Sequence, residues 1–311
     1  MKLSRLLTRL LSISNSEAAV GIPACHTPKA FGAALRKEAH ISGLMLCVAS
    51  LALATLTQAA EPEATYENTA PLDLLLRYAP TNAALAGKYR GYVTKELGAL
   101  TYGINGTGPA RTITNTIVVP PNVTYDGKGE VLTADATTMS DGKGNQSEKQ
   151  KPLFVLCPGA GLKNVTITDP GCDGVHMMGD NVLDNVVWQD VGEDAASVRS
   201  YFPGGKISIK NCQAYNARDK MFQFNTSCSV RIENFVGDGM GKLLKHMDSG
   251  DVPFDIDLNN VTVSNVVSAV VQGESTKCQV RYHNLTYHFK GGRDKPDQVF
   301  RDIPKENVTK Y

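Results

Sequence analysis

Downstream of residue 160 the chain repeats one short phrase: an asparagine followed by an apolar, often alternating run. It occurs at Asn164-Val-Thr-Ile, Asn185-Val-Val-Trp, Asn211-Cys-Gln-Ala, Asn234-Phe-Val, Asn260-Val-Thr-Val and Asn284-Leu-Thr-Tyr, at intervals of 21, 26, 23, 26 and 24 residues. Repeats of this length, each with room for one or two short strands and none for a ten-residue helix, predict a solenoid whose coils stack strand on strand. The expected fold is all-β, a right-handed single-stranded parallel β-helix, or β-solenoid. A sandwich would need hairpin turns, and Asn-Gly or Asp-Gly pairs between alternating runs are sparse after Leu153. The asparagines suit tight bends because they tolerate left-handed backbone angles, and stacked copies can hydrogen-bond along the axis.

The strand texture begins after Thr112, where β-branched runs are closed by Asn, Asp and Gly. Three regions follow: 1–60, an N-terminal extension with a secretion signal; 61–110, a linker or N-terminal extension with one short helix around Leu72 to Tyr78; and 111–311, the β-helix domain. The signal is read from Arg36, Lys37 and His40, the apolar run from Ser42 to Leu56, and the small residues Ala59 and Ala60 at the expected cleavage point. That run falls short of the ~20 apolar residues of a membrane span, so export without stable membrane insertion is expected. The residues before it, with Lys2, Arg5 and Arg9 among leucines, read either as a mitochondrial-type presequence or as a stretch upstream of a later start at Met45.

Charge narrows the partners. With 32 basic and 31 acidic side chains the net charge is +1, so no overall basic excess points to nucleic acid, and recognition falls to local clusters. Beyond the signal lie Cys157, Cys172, Cys212, Cys228 and Cys278. An odd number allows at most two bridges, and the absence of a Cys-x-x-Cys pair argues against structural zinc. Eight asparagines stand in Asn-x-Ser/Thr triplets, Asn105, Asn122, Asn225 and Asn307 among them; these are glycan acceptors only in a eukaryotic secretory route.

Two clusters carry chemistry. Asp173 and the pair Glu193 and Asp194 are one repeat length apart, so one coil brings three carboxylates to one surface, a set of hard oxygens suited to calcium. Adjacent strand residues face opposite sides, so Glu193 and Asp194 converge only on a bend, which Gly192 can supply. The plainer reading of all three is solvated turn acids. The next repeats bring Lys220, then Lys242 and Lys245, again about one coil apart. Amines beside a metal held by carboxylates suit an extended polyanion such as an acidic polysaccharide. His176 reads as a structural histidine, Trp188, Phe222 and Phe224 as core, and His246 stays ambiguous.

The segments Tyr125-Asp-Gly-Lys-Gly, Gln150-Lys-Pro-Leu-Phe, Leu162-Lys-Asn-Val-Thr-Ile, Asp173-Gly-Val-His-Met-Met-Gly-Asp-Asn, Asn185 to Ala195, Arg218-Asp-Lys-Met-Phe-Gln-Phe-Asn and Gly241-Lys-Leu-Leu occur in the order in which the family 3 polysaccharide lyases carry them. From about Ile117 to Lys245 the chain resembles that family of secreted pectate lyases. The resemblance implies a parallel β-helix that cleaves de-esterified pectin (polygalacturonate) by calcium-dependent β-elimination. It implies Asp173, Glu193 and Asp194 as Ca2+ ligands, Lys220 and Lys242 as active-site cations and Arg199 as a substrate contact; Lys245 joins the catalytic candidates and Arg218 the substrate-binding ones, and the charge chemistry of proton removal makes Lys220 the expected base. Where this chain has Lys245 the family usually carries arginine, and lysine replaces a planar fork by a point charge. A monomer is expected. The rival readings are a β-helix glycoside hydrolase working with paired carboxylates and a catalytically inactive solenoid that binds acidic polysaccharide.

Overall fold

Short runs that alternate inward apolar and outward polar residues, closed by a residue able to take a left-handed bend, stack into parallel coils. The computed structural model describes residues 66–141, 147–247, 250–292 and 295–311, all within one unit, Ala64–Tyr311. They form a β-solenoid of about eight turns, a parallel β-helix as the repeat predicts. The secretion signal and the residues before it lie outside the described residues.

One file of parallel strands begins with β1 (Leu100–Tyr102), β3 (Thr116–Val119), β5 (Phe154–Leu156), β7 (Val175–Met177) and β9 (Ala196–Val198). It continues into the last residues of β11 (Gln213–Phe224), β12 (Cys228–His246) and β13 (Phe254–Gly273) and ends on β15 (Phe300–Arg301). The coils start at Leu100, earlier than the texture after Thr112 indicates. The first strand is three residues long between Gly98 and Gly103, too brief to show a period.

The bends confirm the reading of the asparagines. Asn164, Asn185, Asn211, Asn234, Asn260 and Asn284 all have φ between 49° and 55°. Their amides form a ladder along the axis: Asn185 donates to Asn164 at 2.8 Å, Asn234 to Asn211 at 3.1 Å, Asn260 to Asn234 at 2.8 Å and Asn284 to Asn260 at 2.9 Å. The ladder breaks once, where Asn211 donates instead to Asp184 at 2.8 Å.

Inside the coils Trp188, Phe222, Phe224, Phe235 and Phe254 are fully buried, and Trp188 meets Phe222 edge-on at 6.1 Å. His246 belongs to this core, stacked 4.3 Å from Phe254, and so is separate from the lysine row. The five cysteines among the described residues are buried free thiols, small apolar fillers rather than cross-links.

The stretch read as a linker or extension holds two helices, α1 (Pro71–Leu76) and α2 (Ala83–Gly91), followed by a π-helical turn, Tyr92–Glu96. Leu74, Leu75, Tyr89, Tyr92, Val93 and Leu97 pack on Val118, Val155 and Met178. This explains why β3 and β5 are apolar on both faces: Ile117 and Val119 face the interior while Val118 faces the helices.

Candidate active site

Asp173 and Asp194 precede β7 and β9 by the same two residues, so the stacking of those strands places the two bends one above the other. The bends touch closely. Glu193 N–H donates to Cys172 O at 2.8 Å, and a Cβ on Gly192 would fall 2.0 Å from that same oxygen. Gly174, at φ +49°, likewise has no room for a side chain against Ala195 O. Gly192 thus serves the bend by close approach, and Glu193 and Asp194 both turn toward Asp173. Oxygens of the three carboxylates lie within 4.8 Å of one another, and all three residues are buried.

Three acids so crowded cannot all ionise cheaply. Burial, and then the neighbouring Asp173, push Glu193 up to about 7. Burial and Glu193 raise Asp194 well above the usual carboxylate range. Asp173 moves the other way: burial opposes its charge, but His176 and Arg199 outweigh burial and hold it below its ordinary value. Its Oδ2 accepts from His176 Nε2 at 2.8 Å and from Arg199 at 3.2 Å, whereas its buried Oδ1 has no hydrogen-bond partner among the described residues.

Lys220 sits against this cluster, its Nζ 3.1 Å from Glu193 Oε1, 3.2 Å from Asp194 Oδ1 and 3.2 Å from Asp219 Oδ2. Burial alone would lower its pKa; Asp194 and Glu193 outweigh burial and raise it. Lys242 is its paired residue on the next coil and holds Asp219 Oδ1 at 2.6 Å. Lys245 pairs in register with Gln223 and lies 3.2 Å from Glu274. Lys220 and Lys242 therefore share Asp219, and Lys245 stands three residues farther along the same strand.

The two arginines part company. Arg199 lies beside the acids, its guanidinium 5.9 Å above the Tyr92 ring and bonded to Asp173. Arg218 is exposed and lines a separate groove of about 620 Å3 with Asn216, Asp238, Asn265 and Lys290. Two partners escape a sequence reading. Asp219 lies inside the Arg-Asp-Lys triplet, next to Lys220, and its position is its only signal. Tyr92 comes from a helical segment with no repeat, so no spacing ties it to the coils.

Residues 104–292 match the family model described as pectate lyase. The chain belongs to this family. Its curated relatives include probable pectate lyase D of Neosartorya fischeri, 27% identical over 192 residues, which cover 57% of this chain and 76% of that protein. Pectate lyase E of Emericella nidulans is 39% identical over 93 residues, 30% of this chain and 36% of its own length. The matched stretches thus span between 36% and 76% of these relatives. Among solved structures, the catalytic domain of pectate lyase PelI from Erwinia chrysanthemi is 20% identical, with a TM-score of 0.42 over 68% of this chain and all of that one.

Proposed function

We propose that the protein is a secreted pectate lyase, acting as a monomer, that cleaves polygalacturonate by calcium-dependent β-elimination. The observation that carries this reading is the convergence of three buried carboxylates from successive coils beside Lys220 and its paired Lys242, in a chain of this family. The acids fit calcium. They are hard oxygen donors, Asp173 keeps one oxygen unshared, and their mutual repulsion is what a divalent cation offsets. Asp173, Glu193 and Asp194 would hold calcium, which would supply the positive charge that neutralises the uronate carboxylate and acidifies the adjacent C5 proton.

The chain's own groups do the rest. Lys220, in its neutral form, accepts the C5 proton. Lys242 and Lys245 present ammonium groups to the negative charge that develops as the proton leaves. The C4–O bond then breaks, giving an unsaturated uronide. Arg199, already positioned by Asp173, is the proposed substrate contact at this site; Arg218, in its separate groove, could meet only a more distant part of a long chain. Since carboxylates favour the protonated form of Lys220, activity belongs on the alkaline side of neutrality. Export rests on the apolar run from Ser42 to Leu56; among the described residues no helix is long and apolar enough to cross a membrane.

The test is purified protein with polygalacturonate, with calcium or a chelator. The ultraviolet-absorbing unsaturated product should form only with calcium and only slowly in Lys220→Ala. Saturated products would select the hydrolase, binding without cleavage the inactive solenoid, and maximal turnover below neutrality would count against a lysine base.

A further inference from the structure

The outward-facing positions of the first strand file form one continuous row. Pairing sets Tyr102, Val118, Val155, His176, Ser197, Gln223, Lys245, Gln272 and Arg301 side by side on successive coils. Its early members are apolar and covered by the helices; its later members are polar and lie beyond them. His176 stands at the change, and both of its ring nitrogens are engaged. Nδ1 lies 2.7 Å from Tyr92 Oη, and Nε2 lies 2.8 Å from Asp173 Oδ2.

Chemistry fixes the direction of these bonds. An ionised carboxylate can only accept, so the His176 proton is on Nε2 and is donated to Asp173. Buried and therefore neutral, the ring has no proton left for Nδ1, which accepts from Tyr92 O–H. Tyr92 and His176 are both nearly inaccessible to solvent, at 3% and 2% exposure. The Tyr92 ring also stacks on the imidazole, with centroids 5.7 Å apart and planes 28° apart, while Arg199 covers the ring from its own side. Tyr92 opens the π-helical turn, a rare deformation that often marks functional positions, and it precedes the family-matched residues 104–292.

We propose that Tyr92 and His176 are positioning residues for the metal site. Tyr92 fixes the tautomer and plane of His176, and His176 holds Asp173 Oδ2 so that Oδ1 faces the other acids. This proposal rests on the calcium reading above and extends it: the helical segment ahead of the coils becomes part of the metal site. Partners behind the ligands in metal sites commonly govern metal affinity by about 10- to 100-fold.

Calorimetric titration of calcium into the purified full chain tests it, with the melting temperature of the calcium-free protein measured alongside. Tyr92→Phe removes only the hydroxyl and keeps the stacked ring; its calcium affinity should fall about tenfold, with kcat recovered at saturating calcium. His176→Ala should lose more, and His176→Gln, whose amide can donate to Asp173, should regain part of the loss. Tyr89→Phe is the control. Tyr89 belongs to the same packed segment, but its hydroxyl donates to Leu75 O at 2.7 Å, so this variant should bind calcium normally whatever its melting temperature. Normal affinity in Tyr92→Phe, or an equal loss in Tyr89→Phe, overturns the proposal while the metal reading stands. Wild-type protein that takes up no calcium overturns the metal reading, and the proposal with it.

Discussion

Lys220 and Lys242 are paired residues on neighbouring coils, and Asp219 holds one of them with each of its oxygens, at 3.2 and 2.6 Å. Two ammonium groups at adjacent rungs repel, and the shared carboxylate makes that proximity tolerable. Asp219 is itself held below its ordinary pKa: burial opposes its charge, and the two lysines outweigh burial. With Glu193 and Asp194 on the other side of Lys220, the charges along the axis run acids, lysine, acid, lysine.

A base inside that sequence must give up its proton and be able to take one back. Lys220→Ala should lower kcat by roughly 100- to 10,000-fold, the usual worth of a positioned base. Lys220→Arg should not restore it, because guanidinium does not deprotonate. Initial rates of unsaturated-product formation in saturating calcium decide this; either variant retaining more than about a tenth of wild-type kcat would remove Lys220 from the role.

The acid cluster predicts opposite effects with and without metal. At about 100 times its Kd, calcium should stabilise the protein by about 2.7 kcal/mol, and Glu193→Gln or Asp194→Asn should abolish that increment. In chelator, Glu193→Gln should cost little, since burial and Asp173 already disfavour the Glu193 charge. Urea unfolding with and without calcium measures both. A large loss in chelator would mean that Glu193 serves the fold through its pair with Lys220.

What was legible in the sequence was what repeats. From Asn164 onward an asparagine marks each coil at a left-handed bend, and the acid and lysine positions inherit that stride, so Asp173, Glu193, Asp194, Lys220 and Lys242 could be brought together by counting. Tyr92 could not, because its helical segment has no period and touches the site only through tertiary packing on Val118 and Val155. Nor could the parting of Arg199 from Arg218. Both are basic residues near the cluster in sequence, but Arg218 lies where the strand pairing shifts register between Ala217 and Lys220, and it lines another groove. The residue type of His176 points only to a structural role; its neighbours on both nitrogens, Tyr92 and Asp173, show what it is attached to.

Asn234 tests the ladder. It sits at φ 52°, donates to Asn211 at 3.1 Å and accepts from Asn260 at 2.8 Å. Asn234→Ala should destabilise by about 1–3 kcal/mol, combining the penalty of a Cβ at a left-handed angle with lost hydrogen bonds. Asn234→Gly keeps the angle free and should lose less than half as much. Urea midpoints in the reverse order would show that strain at the bend is not what selects asparagine.

Acid sensitivity should be readable at Asp251, far from the acid cluster in sequence. Its Oδ1 accepts from Thr276 Oγ1, Thr276 N–H and Ser275 Oγ at 2.8, 2.8 and 2.9 Å. The bond from the Thr276 hydroxyl, then that from Ser275, hold it at about 2. An unfolded aspartate titrates near ~3.9. A carboxylate depressed in the folded state contributes stability that is present above the unfolded value and lost as pH falls through the folded one. The stability gap between wild type and Asp251→Asn should therefore be full at pH 5 and close toward pH 2. A gap independent of pH in denaturant titrations would show that the charge contributes nothing.

Beyond Lys245 the outward row continues through Gln272 to Arg301. At ~4.8 Å between coils, Arg301 stands roughly 10 Å from Lys245 along the axis. Its guanidinium is held in place by Ser268 Oγ at 2.7 Å, by Gln272 Oε1 and by an ion pair with Asp302 at 3.6 Å, yet its side chain keeps 33% of its exposure. A cation fixed in direction but open to solvent, in file with Lys245, suits a second uronate of a long substrate. Arg301→Ala should raise KM for polygalacturonate several-fold and leave kcat unchanged. Oligomers too short to span two coils should show no difference, because they never reach it. An equal rise in KM on short and long substrates would instead trace the effect to Gln272 and Lys245, whose positions the arginine would then merely support.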